Sequence, residues 1–219
     1  MATLCEGVHV FLALILIATS YLTGSICSAI IVCRVFNLPD PTQEGSKNPG
    51  ATNVLRLAGK KYAALVFVVD FLKGTIPVLI AHFCHVSFTV LALTMLAAVL
   101  GHVYPVFFNF KGGKGVATAL GALLGFNLIA GTMTIATWLL VARFFRYSSL
   151  ASITAIALSP FYVSFITRQY SIFPFFVFLV LLILFTHRNN ITRLVDGSEP
   201  KIILKNNLIK NIIKDEKTK

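Results

Sequence analysis

A cationic, glycine-rich stretch carries the clearest chemical signal in this sequence. Residues 101–115 read GHVYPVFFNFKGGKG, in which lysines and glycines alternate directly after a hydrophobic run. Glycine lets a backbone approach a ligand closely, successive backbone N–H groups form an anion-binding concavity, and ammonium groups add point charges. The stretch predicts a phosphate site, although a solvated turn would have the same composition. The candidate phosphate ligands are Lys111, Gly112, Gly113, Lys114 and Gly115.

The same stretch is not a nucleotide-hydrolysing P-loop. A Walker A motif has a glycine, four residues and then Gly-Lys-Ser/Thr. Phe108 stands where that motif has its first glycine, and Gly115 follows the lysine. We therefore predict a phosphate-type ligand without nucleotide hydrolysis.

A second polar cluster spans residues 44–53, which read EGSKNPGATN and are followed by Arg56. Glycine, proline and small polar residues build tight, ordered loops. We expect Asn53 to cap the next helix, which would place Arg56 in its first turn at the positive end of the helix dipole. A cation there is favourable if an anion binds beside it, with Ser46 and Asn48 as further donors. An ordinary loop with a helix cap explains the pattern equally well.

A third cluster is split between two places in the chain. Ser149 and Ser152 begin one apolar run at helical spacing and share a face. His187 and Asn190 end another run and also share a face. The histidine is suited to orienting a substrate or relaying a proton, whereas the serines are equally suited to packing against a neighbouring helix.

The remaining titratable residues in apolar surroundings are interpreted as structural. Asp70 and Lys73 lie three residues apart within an apolar run, and charges at that depth usually pair with each other or face a cavity. His102, where a run meets the glycine-rich stretch, is interpreted as a satisfied structural histidine. The four cysteines show no CxxC spacing, so we expect buried small side chains and no metal site.

The elements that must position these clusters are transmembrane helices. The chain is 57% hydrophobic and only 12% charged, and its mean hydropathy is +0.83. A soluble domain carries about twice that share of charge. We predict an all-α integral membrane protein with about seven crossings. The predicted spans are 8–31, 62–82, 87–107, 115–128, 131–146, 149–167 and 171–187. The fourth and fifth are short for a full crossing, so a re-entrant pair is the alternative.

Charge distribution orients these spans. Nearly all of the 19 lysines and arginines fall in loops on one side or in the tail, with Arg168 on the other side and Lys73 within a span. The positive-inside rule then puts the N-terminus outside and the C-terminus in the cytoplasm. Residues 1–195 form one catalytic domain and residues 196–219 a basic tail. The net charge of +11 fits anionic headgroups better than nucleic acid, which we exclude as a partner.

Several motifs in order resemble the bacterial acyl-phosphate-dependent glycerol-3-phosphate acyltransferase family over about residues 20–200. They are YLTGS at 21–25, GSKNPGATNVLR at 45–56, GHVYPVFFNFKGGKGVAT at 101–118, SSLAS at 148–152, and HRNNITRL with GSEPK between 187 and 201. One departure is Lys47, where the family usually has a small residue such as glycine.

The resemblance implies a seven-helix membrane enzyme that moves a fatty acyl group from acyl phosphate to the sn-1 hydroxyl of glycerol 3-phosphate. It releases lysophosphatidic acid and phosphate in the first step of phospholipid synthesis, at the cytoplasmic face of the inner membrane. No cofactor or metal is implied, and we expect a functional monomer. The stretch 111–115 and Asn53 would bind phosphate. The reacting centre would be lined by Ser46, Asn48, Arg56, Ser149, Ser152, His187 and Asn190.

Two further expectations concern mechanism and class. No Ser-His-Asp or Cys-His arrangement is evident, and acyl phosphate is already activated, so direct transfer is expected in place of an acyl-enzyme. The competing class is a membrane transporter of an anionic, phosphate-bearing solute. A transporter predicts polar residues along a path through the membrane, whereas these clusters gather on one side.

Overall fold

The computed structural model describes residues 2–202, with side chains from residue 7 onward, and all the regular secondary structure in this part of the chain is helical. Most of the predicted basic tail, residues 203–219, and the side chain of Cys5 lie outside the described residues. The helices are α1 (Ala2–Gly24), α2 (Ser28–Val35), α3 (Ala51–Ala58), α4 (Lys60–Phe83), α5 (Phe88–Val103), α6 (Val116–Phe126), α7 (Leu128–Phe145), α8 (Ser148–Thr167), α9 (Phe173–Thr186) and α10 (Arg188–Val195). Short 3-10 turns lie at Val106–Phe108 and Tyr170–Ile172.

Five of the described helices are long and apolar enough to cross a membrane, namely α1, α4, α5, α7 and α8. The α9–α10 pair, bent by 64°, makes a sixth if it counts as one span. α6 has only 11 residues, about 17 Å at 1.5 Å per residue, against about 30 Å of hydrocarbon. The predicted multi-pass helical fold is therefore confirmed, whereas the count of seven crossings stays a prediction.

Two predicted span boundaries were wrong. The first predicted span, 8–31, is broken, because α1 ends at Gly24 and α2 starts anew at Ser28. The apolar composition continues across the break, so periodicity alone could not locate it. The fifth span begins at Leu128 instead of 131, since the Asn127 side chain accepts from the backbone N–H of Ala130 at 3.0 Å and caps α7. With 18 residues, α7 is long enough to cross.

Glycines bring the central helices into backbone contact. A Cβ at Gly74 of α4 would lie 2.1 Å from the Thr118 carbonyl oxygen, and one at Gly121 of α6 would lie 2.1 Å from that of Phe71. α1 and α5 meet in the same way at Gly101. Apolar side chains gain little by leaving lipid for a protein interior, so close packing of small residues is a main source of helix association in membranes.

An apolar core fills the space between the helices, and further apolar side chains face outward. Met95, Leu123, Phe126 and Phe176 are fully buried in one cluster. Large side chains on the outer faces are exposed, among them Phe144 at 74%. A soluble protein would not expose so much contiguous apolar surface, so this surface suits lipid.

The same end of the bundle holds all three predicted clusters. The loop before α3, the loop before α6, the turn between α7 and α8, and the bend between α9 and α10 line adjoining cavities. The prediction that the clusters share one side is therefore confirmed.

Candidate active site

Two adjoining cavities open at this end of the bundle. The first, of about 250 Å³, runs inward among α3, α4, α6, α7 and α8, and the second, of about 610 Å³, lies between the loop before α3, the glycine-rich loop and α10. They share part of their walls, so ligands in the two cavities would meet. The residues that line both are Ser46, Asn48, Arg56, Lys114, Asn190, Arg193 and Pro200.

Asn53 organises the loop before α3. α3 begins at Ala51 with Gly50 as its N-cap residue, so Asn53 lies in the first turn and Arg56 in the last. The predicted cap at Asn53, with Arg56 in the first turn, was therefore wrong. The Asn53 side chain accepts from the Ser46 N–H at 2.9 Å and donates to the carbonyls of Pro41 and Glu44. Its amide is fully used in shaping the loop.

Arg56 remains available to a ligand. Its guanidinium lines both cavities, and within residues 7–202 no hydrogen bond or ion pair engages it. Arginine presents several donors in a planar fork that matches phosphate oxygens. Ser46 and Asn48 lie on the same wall, so one side of the shared opening carries a cation and two uncharged polar side chains.

The glycine-rich loop folds back on the end of α5. The N–H of Gly112 donates to the Val103 carbonyl at 3.1 Å and that of Gly113 to the His102 carbonyl at 3.2 Å, while the N–H of Lys111 donates to Phe108. The predicted concavity of free N–H groups over 111–113 was therefore wrong. These glycines serve close packing: a Cβ at Gly112 would lie 2.0 Å from the His102 oxygen.

Lys114 stands at the junction of the two cavities. Its ammonium donates to Asn190 Oδ1, and its carbonyl accepts from the Thr186 hydroxyl at 3.1 Å, which ties the loop to α9. Burial of the ammonium lowers the Lys114 pKa to about 8, and the Arg193 and Arg56 charges act in the same direction, whereas Glu199 opposes them. A phosphate dianion placed there would raise that pKa again.

Glu199 anchors this side of the site. Its carboxylate accepts from Asn190 Nδ2 at 2.7 Å and from Arg193 Nε at 2.7 Å. Burial alone would raise the Glu199 pKa, but the polar side chains of Ser149, Asn190 and Arg193 beside the carboxylate, together with the Arg193 charge, hold it below its usual range. The ionised carboxylate thus orients Asn190, which in turn receives Lys114.

The residues from 196 to 202, predicted as the start of the tail, contact the helical domain. Ile202 exchanges backbone and side-chain hydrogen bonds with Arg146, with its N–H 2.7 Å from the Arg146 carbonyl. Glu199 and Pro200 line the first cavity. This segment therefore forms part of the site's wall.

The two predicted serines of α8 lie in the wall of the first cavity and are buried. Ser152 donates its hydroxyl proton to the Ser148 carbonyl at 2.8 Å and accepts from Trp138 Nε1 at 3.0 Å. Its hydroxyl is therefore occupied and fixes the indole of Trp138. Ser149 is 5% exposed and lies on the same face.

His187 lies at the bend between α9 and α10. Its ring is 3% exposed, and Nδ1 lies 2.9 Å from the Ile183 carbonyl oxygen. Because a carbonyl only accepts, Nδ1 carries the proton in that bond, and Nε2 is the ring nitrogen left for a ligand. The histidine lines the first cavity.

The first cavity has an apolar half that opens sideways. It is lined there by Phe67 and Phe71 of α4, Leu120 of α6, and Trp138 and Leu139 of α7. Phe67 is 43% exposed and Leu139 57% exposed, so this half reaches the lipid-facing surface between α4 and α7. α6 packs against both helices and closes the groove from behind.

The buried ion pair predicted within α4 is present. Lys73 Nζ lies 2.8 Å from Asp70 Oδ1 and also donates to the Ile26 carbonyl at 2.7 Å. Ser28 donates to the same carboxylate oxygen at 2.8 Å. The pair therefore fastens the break between α1 and α2 to α4.

The structure brings every predicted site residue to these two cavities. Lys111, Gly112 and Gly113 line the second cavity, Asn53, Gly115, Ser149, Ser152 and His187 line the first, and the rest line both. Sequence reasoning left out Glu199, Arg193 and Trp138. Glu199 was visible as one of two carboxylates, with Asp196, in a basic segment, whereas Trp138 gave no signal within its apolar run. Among the described residues no three His, Cys, Asp or Glu side chains are grouped as a metal site would require.

Comparisons with known proteins agree on one family. The family model described as glycerol-3-phosphate acyltransferase matches residues 14–197. A glycerol-3-phosphate acyltransferase of Legionella pneumophila (strain Philadelphia 1) is 57% identical over 202 residues, which are 92% of this chain and 73% of that protein. One from Vibrio cholerae (strain O395) is 52% identical over 195 residues, covering 89% of this chain and 93% of that protein.

Two solved structures are also similar. Both are crystal structures of PlsY, an integral membrane glycerol 3-phosphate acyltransferase, at 43% sequence identity. The glycerol 3-phosphate form has a TM-score of 0.81 and covers 87% of this chain and 96% of that one. The lysophosphatidic acid form has a TM-score of 0.78, with 86% and 94% covered.

Proposed function

The chain belongs to the glycerol-3-phosphate acyltransferase family, and from this premise we propose that it transfers a fatty acyl group from acyl phosphate to the sn-1 hydroxyl of glycerol 3-phosphate. The products are lysophosphatidic acid and inorganic phosphate. The proposal is supported above all by the pairing of an apolar groove that opens toward lipid with a cationic cavity, joined at one wall.

We place the acyl chain in the groove between α4 and α7, against Phe71, Leu120 and Trp138. The acyl phosphate head would then lie at the shared wall, close to Arg56. Glycerol 3-phosphate would occupy the second cavity, whose lining adds Lys111 and other cationic side chains. Each substrate carries a phosphate and only one carries a long chain, which matches the different character of the two cavities.

The reaction needs positioning and charge stabilisation more than a protein nucleophile. The glycerol hydroxyl oxygen attacks the acyl carbonyl carbon, the bond from that carbon to the phosphate oxygen breaks, and phosphate leaves with the bonding electrons. The hydroxyl proton passes to a phosphate oxygen of a substrate. Arg56 stabilises the charge that develops on the leaving phosphate, Lys114 holds the phosphate of glycerol 3-phosphate, and His187 and Asn190 orient the reactants. Preorganised groups of this kind each supply several kcal/mol, on the order of 3.

Asn53 and the glycines at 112 and 113 would act by shaping the two loops. We further propose a monomer in the bacterial inner membrane, with both cavities open to the cytoplasm and no cofactor or metal. The transporter alternative gains nothing from the structure, because the apolar cluster of Met95, Leu123, Phe126 and Phe176 fills the helical interior away from the cavities.

The test uses purified protein in detergent micelles with acyl phosphate as donor. We expect phosphate release that depends on glycerol 3-phosphate, with one lysophosphatidic acid formed per phosphate and the acyl group at the sn-1 position. Acyl-coenzyme A in place of acyl phosphate should give no product. Acceptor-independent release alone, or equal use of the thioester, would contradict the proposal.

A further inference from the structure

A buried polar cluster lies beneath the Lys114 loop and takes no part in the reaction proposed above. Asp70 is 2% exposed and His102 6% exposed, and both line the first cavity. Lys73 and Ser28 both contact Oδ1 of the Asp70 carboxylate. The two contacts hold α1 and α2 against α4. This structural role does not account for the placement of His102 beside the same carboxylate.

His102 is in direct contact with the loop that presents Lys114. Its carbonyl accepts from the Gly113 N–H at 3.2 Å. Its ring is packed against the same residue, since a Cβ at Gly113 would lie 2.2 Å from His102 Nε2. Gly113 immediately precedes Lys114. The position of the imidazole therefore determines how closely the loop that carries Lys114 can approach α5.

Asp70 lies on the opposite edge of the imidazole. Its Oδ1 is 3.5 Å from His102 Nδ1. That nitrogen is buried and has no hydrogen-bond partner among the described residues. A buried polar nitrogen without a partner is costly, so the nearby carboxylate is the group that can favour this ring orientation.

We propose that His102 is a positioning residue for the glycerol 3-phosphate site, and that Asp70 acts through it. The imidazole lies between the Asp70 carboxylate and Gly113. By limiting where Gly113 can lie, it fixes the position of the Lys114 ammonium at the junction of the cavities. This inference rests on the proposed function, because the loop position matters only if the loop receives a phosphate.

Two matched substitutions of His102 distinguish the contact made at Nε2 from the contact made at Nδ1. Gln places its side-chain amide near the position of Nε2, against the loop, whereas Asn places it near Nδ1 and leaves the loop side empty. We expect His102→Asn to raise the KM for glycerol 3-phosphate about tenfold, since small misplacements of binding groups have effects of this size or larger. His102→Gln should stay within about threefold of the unsubstituted protein, and the KM for acyl phosphate should change little in both.

A double-mutant cycle with Gly113 tests the contact itself. Gly113→Ala alone should raise the KM for glycerol 3-phosphate at least about tenfold, because its Cβ collides with the ring. In the His102→Asn background the same change should add less than about twofold, since the atom that an added Cβ would approach at 2.2 Å, His102 Nε2, is gone. Independent sites would give multiplied effects.

Asp70→Asn completes the test. It should raise the KM for glycerol 3-phosphate in the unsubstituted background and add nothing in the His102→Asn background. His82→Ala, on the exposed far end of α4, and Gly7→Ala, where nothing lies within 4 Å of an added Cβ, are the controls. Thermal unfolding of each variant shows whether it is folded.

The outcomes are distinguishable from failure of the proposed function. If the unsubstituted protein shows no acceptor-dependent phosphate release, the proposed function fails. If it is active but the Gly113 and Asp70 effects multiply with that of His102→Asn, or if Asn and Gln behave alike, the positioning role is overturned. Variants that unfold in every background would also overturn it, because they would show a purely structural cluster.

Discussion

Lys114 is the residue on which both cavities depend. It lines both of them, and it is held by Asn190 and, through the loop, by Thr186. We predict that Lys114→Ala raises the KM for glycerol 3-phosphate by about tenfold to a hundredfold, since a charge-assisted hydrogen bond contributes about 1.5–3 kcal/mol. The KM for acyl phosphate should rise much less.

Steady-state kinetics with each substrate varied in turn measure this difference. Arg168→Ala, which removes a cation from the far end of α8, is the matched control and should leave both constants unchanged. Equal effects of Lys114→Ala on the two substrates would contradict the assignment of this lysine to glycerol 3-phosphate.

The depressed pKa of Lys114 predicts a loss of acceptor binding on the alkaline side. With a pKa of about 8 in the free protein, the ammonium loses its proton as pH rises through 8, while a phosphate monoester with a second pKa of about 6 is already a dianion. The protonated form binds the dianion, so kcat/KM for glycerol 3-phosphate should fall about tenfold per pH unit well above pH 8.

Lys114→Arg is the informative variant for this pH dependence. Its guanidinium stays protonated up to about pH 12, so the alkaline limb should disappear even if the binding geometry is poorer. A limb that persists unchanged in the arginine variant would assign the titration to another group.

Serine chemistry at the site supports direct transfer. Ser152 is hydrogen-bonded to Ser148 and Trp138, and Ser46 is exposed in a loop, so neither is set up as an activated nucleophile. We predict that acyl phosphate alone gives no burst of phosphate and no protein adduct. Single substitutions of Ser46, Ser149 and Ser152 should leave residual activity that needs both substrates. An acyl adduct seen by intact-protein mass spectrometry, formed fast enough for turnover, would refute direct transfer.

At the residue scale the sequence identified five of the seven residues that line both cavities, but not how each of them acts. Residue type and spacing indicated Arg56, Lys114 and Asn190 because their chemistry is carried by the side chain. The role of Asn53 depends on three loop atoms that no local pattern specifies.

Lys47 has a positive φ of 56°. This conformation favours glycine, which fits the small residue usual at that position in the family.

At the element scale the helices α4 and α6 form the frame of the groove, and their contact depends on glycine. We predict that Gly121→Ala destabilises the protein by about 1–3 kcal/mol, the usual effect of overpacking. The added Cβ would lie 2.1 Å from the Phe71 carbonyl oxygen and 2.7 Å from Thr75 Oγ1, so the helices must separate. Thermal unfolding in detergent should show a lower Tm, whereas Gly7→Ala should not. An unchanged Tm would mean that α4 and α6 can move apart freely.

Element boundaries were less predictable than element type. Long apolar runs indicated α4, α5 and α8 within a few residues, because the bilayer sets their length. The break between α1 and α2 escaped detection since its stabilisation comes from Lys73 and Asp70, which are far away in sequence. Likewise, the bend between α9 and α10 follows from packing against the glycine-rich loop through Thr186.

At the scale of the whole molecule, the two ends of the bundle differ in chemistry. Both cavities lie at the end that holds Arg56, Lys111, Lys114 and Arg193. The other end, at the short connections around Cys84, Asn127 and Arg168, carries few charges. The positive-inside rule favours the proposed placement of the cationic end in the cytoplasm. A water-soluble acceptor would then enter from the cell interior and a lipid-borne donor from the side.

This orientation is directly testable by cysteine labelling. In a background with Cys5 and Cys84 replaced by serine, the remaining Cys27 and Cys33 are buried. Single cysteines at the exposed positions Lys47, Lys111 and Gln169 then report on the two ends. With a membrane-impermeant maleimide on intact cells, we expect labelling at 169 only, and labelling at 47 and 111 after the membrane is opened. Thermal unfolding of each purified variant in detergent confirms that it is folded. Labelling at 47 and 111 in intact cells, with 169 protected, would place the cavities outside and overturn the proposed cytoplasmic site.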